Sequence, residues 1–145
     1  MSLSNWEKNR WIEPHTTSPE EIGNLLAVAE RDISDCQTEG LSEDWRFNIA
    51  YNAALQLATA ALAAAGYRAE RQQHHYRVIH SLEHTIGLDS DTVHLFDAFR
   101  KKRNQAGYDV AGMISEQEAG EMLTLARRLR SEVEEWLRDH HSNLI

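Results

Sequence analysis

Residues 44–65, DWRFNIAYNAALQLATAALAAA, are apolar nearly all round and contain neither proline nor glycine. Alanine and leucine are strong helix formers, so the stretch is predicted to be one long helix, stopped by Gly66. Its single polar stripe, Asn48, Asn52, Gln56 and Thr59, marks a helix that sits in the middle of a bundle. The alanines let neighbouring helices approach closely. The stripe must then find partners in water, in another helix or in a shared cleft. The most apolar part, Ala53 to Ala65, is interrupted by Gln56 and Thr59 and is well short of the ~20 residues needed to cross a bilayer. It belongs in a core, with no membrane implied.

The flanking sequence supports the same class. In Ser18-Pro19-Glu20-Glu21 a capping serine precedes a proline suited to the first helical position, and a glutamate is placed to reach back to the cap. The helix that follows turns Ile22, Leu25, Leu26, Ala29, Ile33 and Cys36 to one face, with Gly40 as its expected stop. A third helix is expected over about Arg71 to Ile86, with Ile79, Leu82 and Ile86 inward and Gly87 as breaker. A fourth begins near Asp89 or Ser90, presents Val93, Phe96 and Phe99, and fades at Gly107 or soon after. Ser115-Glu116-Gln117-Glu118 is a second capping box, opening a last helix with the stripe Met122, Leu125, Ala126, Leu129, Val133, Trp136 and Leu137. No stretch has the alternation of a strand. The prediction is an all-α, up-and-down bundle of four main helices plus a short N-terminal segment that packs Trp6 and Trp11 on the bundle.

The 145 residues suit a single domain, 1–145 with a core of about 18–139, large enough to bury a sizeable interior without staples. The lone Cys36 has no disulfide partner and reads as a small core residue, and the first residues lack the form of a secretion signal. A cytoplasmic protein is expected. The formal charge of −8, from 15 Lys and Arg against 23 Asp and Glu, excludes a protein that coats nucleic acid non-specifically. Any nucleic-acid contact must be local. Two basic clusters exist, Arg100-Lys101-Lys102-Arg103 and Arg127-Arg128-x-Arg130, and the plain reading of both is a solvated helix face.

Arg103 falls on the stripe that Val93, Phe96 and Phe99 turn inward, so its guanidinium needs a partner. An acidic residue on another helix would satisfy it. So would a phosphate, because a guanidinium fork matches its oxygens. Asn104 and Tyr108 share a side of the same helix.

The segment Phe99 to Tyr108, FRKKRNQAGY, resembles the late-helix motif of the HEPN family, an arginine with a polar neighbour a few positions before a histidine. The stretch from Trp45 to Ala54, followed by Gly66-Tyr67-Arg68 and His74-His75, is also similar to that family's long second helix and the turn after it. The resemblance implies a bundle that dimerises through its arginine-bearing helices. It implies a composite cleft that binds RNA without metal or cofactor, often within toxin-antitoxin or stress-response systems, with an antitoxin-type protein as a further partner. Carried over, Arg103 matches the phosphate-holding arginine and Asn104 its polar neighbour, with Arg100, Lys101 and Lys102 at the rim as nucleic-acid contacts. Tyr108 stands where the histidine is expected. A phenol of ordinary pKa near ~10 is a poor base at neutral pH, so the resemblance implies binding with little or no cleavage.

A rival motif is His80-Ser81-Leu82-Glu83-His84, two histidines four apart, an inverted zinc-protease pattern. It implies a metal-dependent bundle enzyme, similar to the DinB-like enzymes, with a third ligand from His74, His75, Glu118 or Glu121. The plain reading puts His80 and His84 in solvent, opposite Ile79, Leu82 and Ile86.

Overall fold

The computed structural model of the chain describes residues 1–106 and 112–145. It is an all-α bundle: α1 (Leu3–Lys8), α2 (Pro19–Asp35), α3 (Glu43–Ala64), α4 (His74–Ser81), α5 (Ser90–Ala106) and α6 (Glu116–His140), closed by a 3₁₀ turn at Ser142–Leu144. The helix α3 is the hub. Phe47, Ala50, Ala53, Ala54, Leu57, Ala58, Ala60 and Ala61 are wholly buried along it. Its small side chains admit α2 and α6 as its two main neighbours, while α5 packs on α3 and α4. Met122, Leu129, Val133 and Leu137 of α6 fill the interior as their spacing predicts. Among the described residues, no helix is long and apolar enough to cross a membrane.

The caps follow the sequence. Ser42 accepts from the Trp45 amide, and Ser115 and Glu118 form the reciprocal box that opens α6. At α2 only half the expected box forms. Ser18 accepts from the Glu21 amide, but the Glu21 carboxylate turns to Thr17 at 2.6 Å and His15 at 2.8 Å. Asp89 opens α5: its carboxylate accepts from the Thr92 amide and hydroxyl and from Arg128 of α6. The hydrogen bond from Arg128, then those from Thr92, hold this carboxyl at a pKa of about 2. A depressed carboxyl stabilises the fold above its unfolded value of about 3.9, and that stabilisation is lost as pH falls through the folded value. Asp89→Asn is therefore expected to melt below the wild type at pH 7, with the gap narrowing as pH drops below about 4. Equal melting at pH 7 would mean that Asp89 does not hold α5 to α6.

Three expectations are corrected. A two-stranded antiparallel sheet is present, β1 (Ile12–Pro14) with β2 (Tyr67–Ala69), Ile12 opposite Ala69 and Pro14 opposite Tyr67. Strands this short are too brief to display an alternation. The helix α2 stops at Asp35, ahead of Gly40, where Arg46 of α3 donates to the carbonyls of Cys36, Thr38 and Leu41 and holds the chain in a turn. The third helix is the short His74–Ser81, entered through Gln73 at φ 54°. Beyond it Leu82 and Leu88 are both buried, and the Leu88 amide donates back to the Leu82 carbonyl, which closes a loop instead of extending a helix. The N-terminal segment packs its indoles as expected: Arg77 of α4 lies 3.9 Å from the centroid of Trp11 and 5.9 Å from that of Trp6.

Candidate functional site

The first half of the polar stripe of α3, Asn48 and Asn52, opens onto a cavity of about 440 Å³ between α2, α3 and α5, lined also by Arg31, Asp32, Trp45, Ile49 and Arg103. Trp45, Asn48 and Asn52 stand there together because they occupy one face of α3 at helical spacing. Asp32 is buried, and its carboxylate is satisfied within the protein, by Asn52 Nδ2 at 2.7 Å and Arg31 at 3.0 Å. Gln56 donates in turn to Asn52 Oδ1 at 3.2 Å, so the Asn52 amide is fixed in orientation. Trp45 is 61% exposed at this cavity, an unusual position for an indole.

Arg103 reaches the cavity from α5. Its guanidinium carbon lies 5.3 Å from the centroid of the Tyr51 ring, and among the described residues no carboxylate comes within 4.0 Å of it. Among the described residues, then, an aromatic face stands where an acidic partner was one of the expectations, and Asp32 across the cavity is engaged by Arg31 and Asn52. Tyr51 is buried, stands edge-on to Phe96, and its hydroxyl lies 3.1 Å from Nδ1 of His75 at the start of α4. Burial drives the Tyr51 phenol far up, beyond what the charges of Arg103 and Arg100 pull back. Burial also lowers His75, and the charges of Arg103, His74 and Arg100 lower it further, so its imidazole is neutral at pH 7.

The other residues of the basic cluster are mostly taken up by carboxylates. Arg100 Nε sits 2.8 Å from Asp97, Lys101 reaches the same carboxylate at 3.7 Å, and Lys102 faces Glu118 at 3.4 Å. Burial raises the Asp97 carboxyl, but the Arg100 hydrogen bond and charge outweigh it and keep the group below its usual range. The structure therefore separates Arg100, which is committed to Asp97 and the Tyr76 ring, from Arg103, which opens on the cavity. Asn104 is exposed beside it, and Tyr108 lies outside the described residues. In the second cluster Arg127 donates to Gln37, Arg128 to Asp89 and Glu132, and Arg130 to Glu30, as a solvated face would.

Among the described residues, His80 and His84 turn to different partners. The helix carrying His80 ends at Ser81, so the two rings diverge: His80 stacks on Tyr76 at 4.2 Å and His84 packs edge-on against Trp6 at 5.2 Å. The proposed third ligands are occupied elsewhere, His75 with Tyr51, His74 with the Glu70 carbonyl, Glu118 with Ser115 and Glu121 with Gln117. Among the described residues no three His, Cys, Asp or Glu side chains gather where a metal could sit. His80 is not in open solvent either: its Nε2 is buried, without a hydrogen-bond partner among the described residues, 3.7 Å from Asp97.

Arg31, Asp32 and the pairing of Tyr51 with His75 are the parts of the site that sequence reading does not single out. The stripe of Asn48 and Asn52 was visible as a pattern, but Trp45 was not read as part of it, and α2 and α5 reach it only through tertiary packing. No protein-family model matches the chain, and no curated protein sequence matches it.

Proposed function

We propose that the chain is a HEPN-like RNA-binding protein that takes single-stranded RNA into the cavity between α2, α3 and α5. The observation that carries this is the convergence of two guanidiniums, Arg31 and Arg103, two amides, Asn48 and Asn52, and the exposed Trp45 indole on one cavity. Each suits a part of a nucleotide: the guanidinium fork a phosphate, the amide a base edge, the indole a base face. The only acidic lining residue among the described ones, Asp32, has its charge answered by Arg31 and Asn52. In a chain of net charge −8 the contact is confined to this one place. The same reading makes the protein a homodimer joined along α5, where Leu95 is 43% exposed, and a regulatory component of a cytoplasmic toxin-antitoxin or stress-response system.

The test is fluorescence anisotropy with labelled single-stranded RNA over a range of salt. With Arg31 engaged by Asp32, Arg103 on one phosphate gives a slope of log Kd against log salt of about 0.7, far below that of a coating protein. Trp45→Ala is expected to weaken binding about 5- to 150-fold through the lost stacking. No RNA affinity at low salt, or an unchanged Kd in Trp45→Ala, refutes the reading. Light scattering at micromolar concentration checks the dimer.

A further inference from the structure

The polar stripe of α3 reaches beyond the cavity of the proposed RNA site. Thr59, at its far end, opens onto a second cavity of about 210 Å³ between α2, α3, β2 and the start of α4. Leu25, Leu62, Ala63, Tyr67, Ala69 and Val78 form its apolar walls. An apolar hole of about 150 Å³ stays dry and takes up benzene, so this one has room for a single ring with a short tail. Water against such walls has few hydrogen-bond partners, and an apolar body that displaces it gains affinity.

The polar atoms around the cavity decide the class of ligand. Thr59 donates its hydroxyl to the Leu55 carbonyl at 2.8 Å, so its oxygen is left to accept. His74 Nδ1 donates to the Glu70 carbonyl at 3.2 Å, since a carbonyl can only accept. For the same reason His15 Nε2 donates to the Glu21 carboxylate, reaching Oε1 at 2.8 Å, and the Thr17 hydroxyl donates to that same oxygen at 2.6 Å. In the neutral rings the second nitrogen, His15 Nδ1 and His74 Nε2, is an acceptor. Among the described residues Glu21 Oε2 takes no hydrogen bond. The hydrogen bonds from Thr17 and His15 hold this carboxyl below its usual range, so it is an anion at neutral pH. The donors in the lining are turned to other carboxylates: Arg68 is exposed and paired with Glu13 of β1, and burial and the neighbouring Glu7 carboxylate push the Tyr67 phenol up.

A carboxylic acid or a phosphate entering here would meet acceptors and a like charge. An ammonium brings three donors and the opposite charge. We propose that this cavity binds a small primary amine carrying one apolar ring, with the ring against Leu25, Leu62, Ala63 and Val78 and the ammonium on Glu21. The Glu21 side chain is 39% exposed, so solvent screens the ion pair, and the pair sets selectivity more than affinity. The affinity comes from the apolar area that the ring removes from water. The site shares no lining residue with the RNA cavity, so the two readings are tested separately.

The probe is 2-phenylethylamine, titrated against the full chain by calorimetry and protein-observed NMR, with 2-phenylethanol and phenylacetate as uncharged and anionic relatives of similar size. The amine should bind with a Kd below about 1 mM and shift the amides of Leu25, Ala63 and Val78. It should bind about fivefold more tightly than the alcohol, and phenylacetate more weakly than either. Glu21→Gln keeps an oxygen for Thr17 and His15 but removes the charge, so the preference for the amine should vanish while the alcohol binds as it does to wild type. Ala63→Leu fills the cavity and should abolish binding of both, with its folding checked by its melting curve. Where that variant does not fold, the Glu21→Gln comparison decides. A Kd above about 1 mM for the amine, shifts confined to amides away from these walls, or the same ratio of amine to alcohol affinity in wild type and Glu21→Gln overturns the proposal.

Discussion

Replacing Phe47 with alanine is expected to lower the unfolding free energy by about 3–5 kcal/mol, because it opens a phenyl-sized hole where the core has no way to collapse. Phe47 is wholly buried on α3, and its ring meets that of Phe99 on α5 edge-to-face at 5.5 Å. For a chain of this length such a loss lowers the melting temperature by roughly 10–15 °C. Urea unfolding gives the free energy directly, and a loss below about 1 kcal/mol would show that the neighbouring helices refill the space. The substitution also bears on function. With Tyr51 and Phe96, the Phe47 and Phe99 pair fastens α5 to α3, and α5 carries Arg103. RNA affinity of Phe47→Ala is therefore expected to fall at temperatures where the protein is still folded. A double-mutant cycle with Phe99→Ala should return a coupling of about 0.5–1.5 kcal/mol if the two rings act on each other.

Arg103→Ala is expected to weaken single-stranded RNA binding about 10- to 150-fold, the equivalent of about 1.5–3 kcal/mol for hydrogen bonds to a charged group. The salt slope should drop by about 0.7, the share of one phosphate. Arg103→Lys keeps the charge but loses the fork, so it should recover only part of the affinity. Arg100→Ala provides the contrast. Its guanidinium is spent on Asp97 at 2.8 Å, so its loss should weaken binding less than that of Arg103. If the two alanine variants weaken binding equally, RNA contacts the outer face of α5 and not the cavity.

These two expectations depend on different levels of the chain's organisation. The hub helix was legible in residues 44–65 alone: apolar residues all round, a break at Gly66 and one polar stripe leave burial in a bundle as the stable outcome. The caps at Ser18 and Ser115 and the inward positions of Val93, Phe96 and Phe99 were legible for the same reason, since helical periodicity and capping are written within a few consecutive residues. The stripe of Asn48 and Asn52 was legible as a set in need of partners.

Which partners it found was a tertiary matter. Asp32 lies on α2 and Arg103 on α5, and no local rule relates their positions to Asn52. Among the described residues Arg103 settles on the Tyr51 ring, while Asp32 across the cavity is held by Arg31 and Asn52. The pairing of Tyr51 with His75 depends on the left-handed entry at Gln73 that delays α4 to His74, and β1 meets β2 only because the chain returns after α3. His80 and His84 show the reverse case: their spacing promised a shared face, but the burial of Leu82 and Leu88 ended the helix between them. Short-range patterns decide where a helix begins and which side it buries, because their energies arise within a few residues. The site is decided by competition among side chains far apart in sequence, and only the packed fold brings the competitors together.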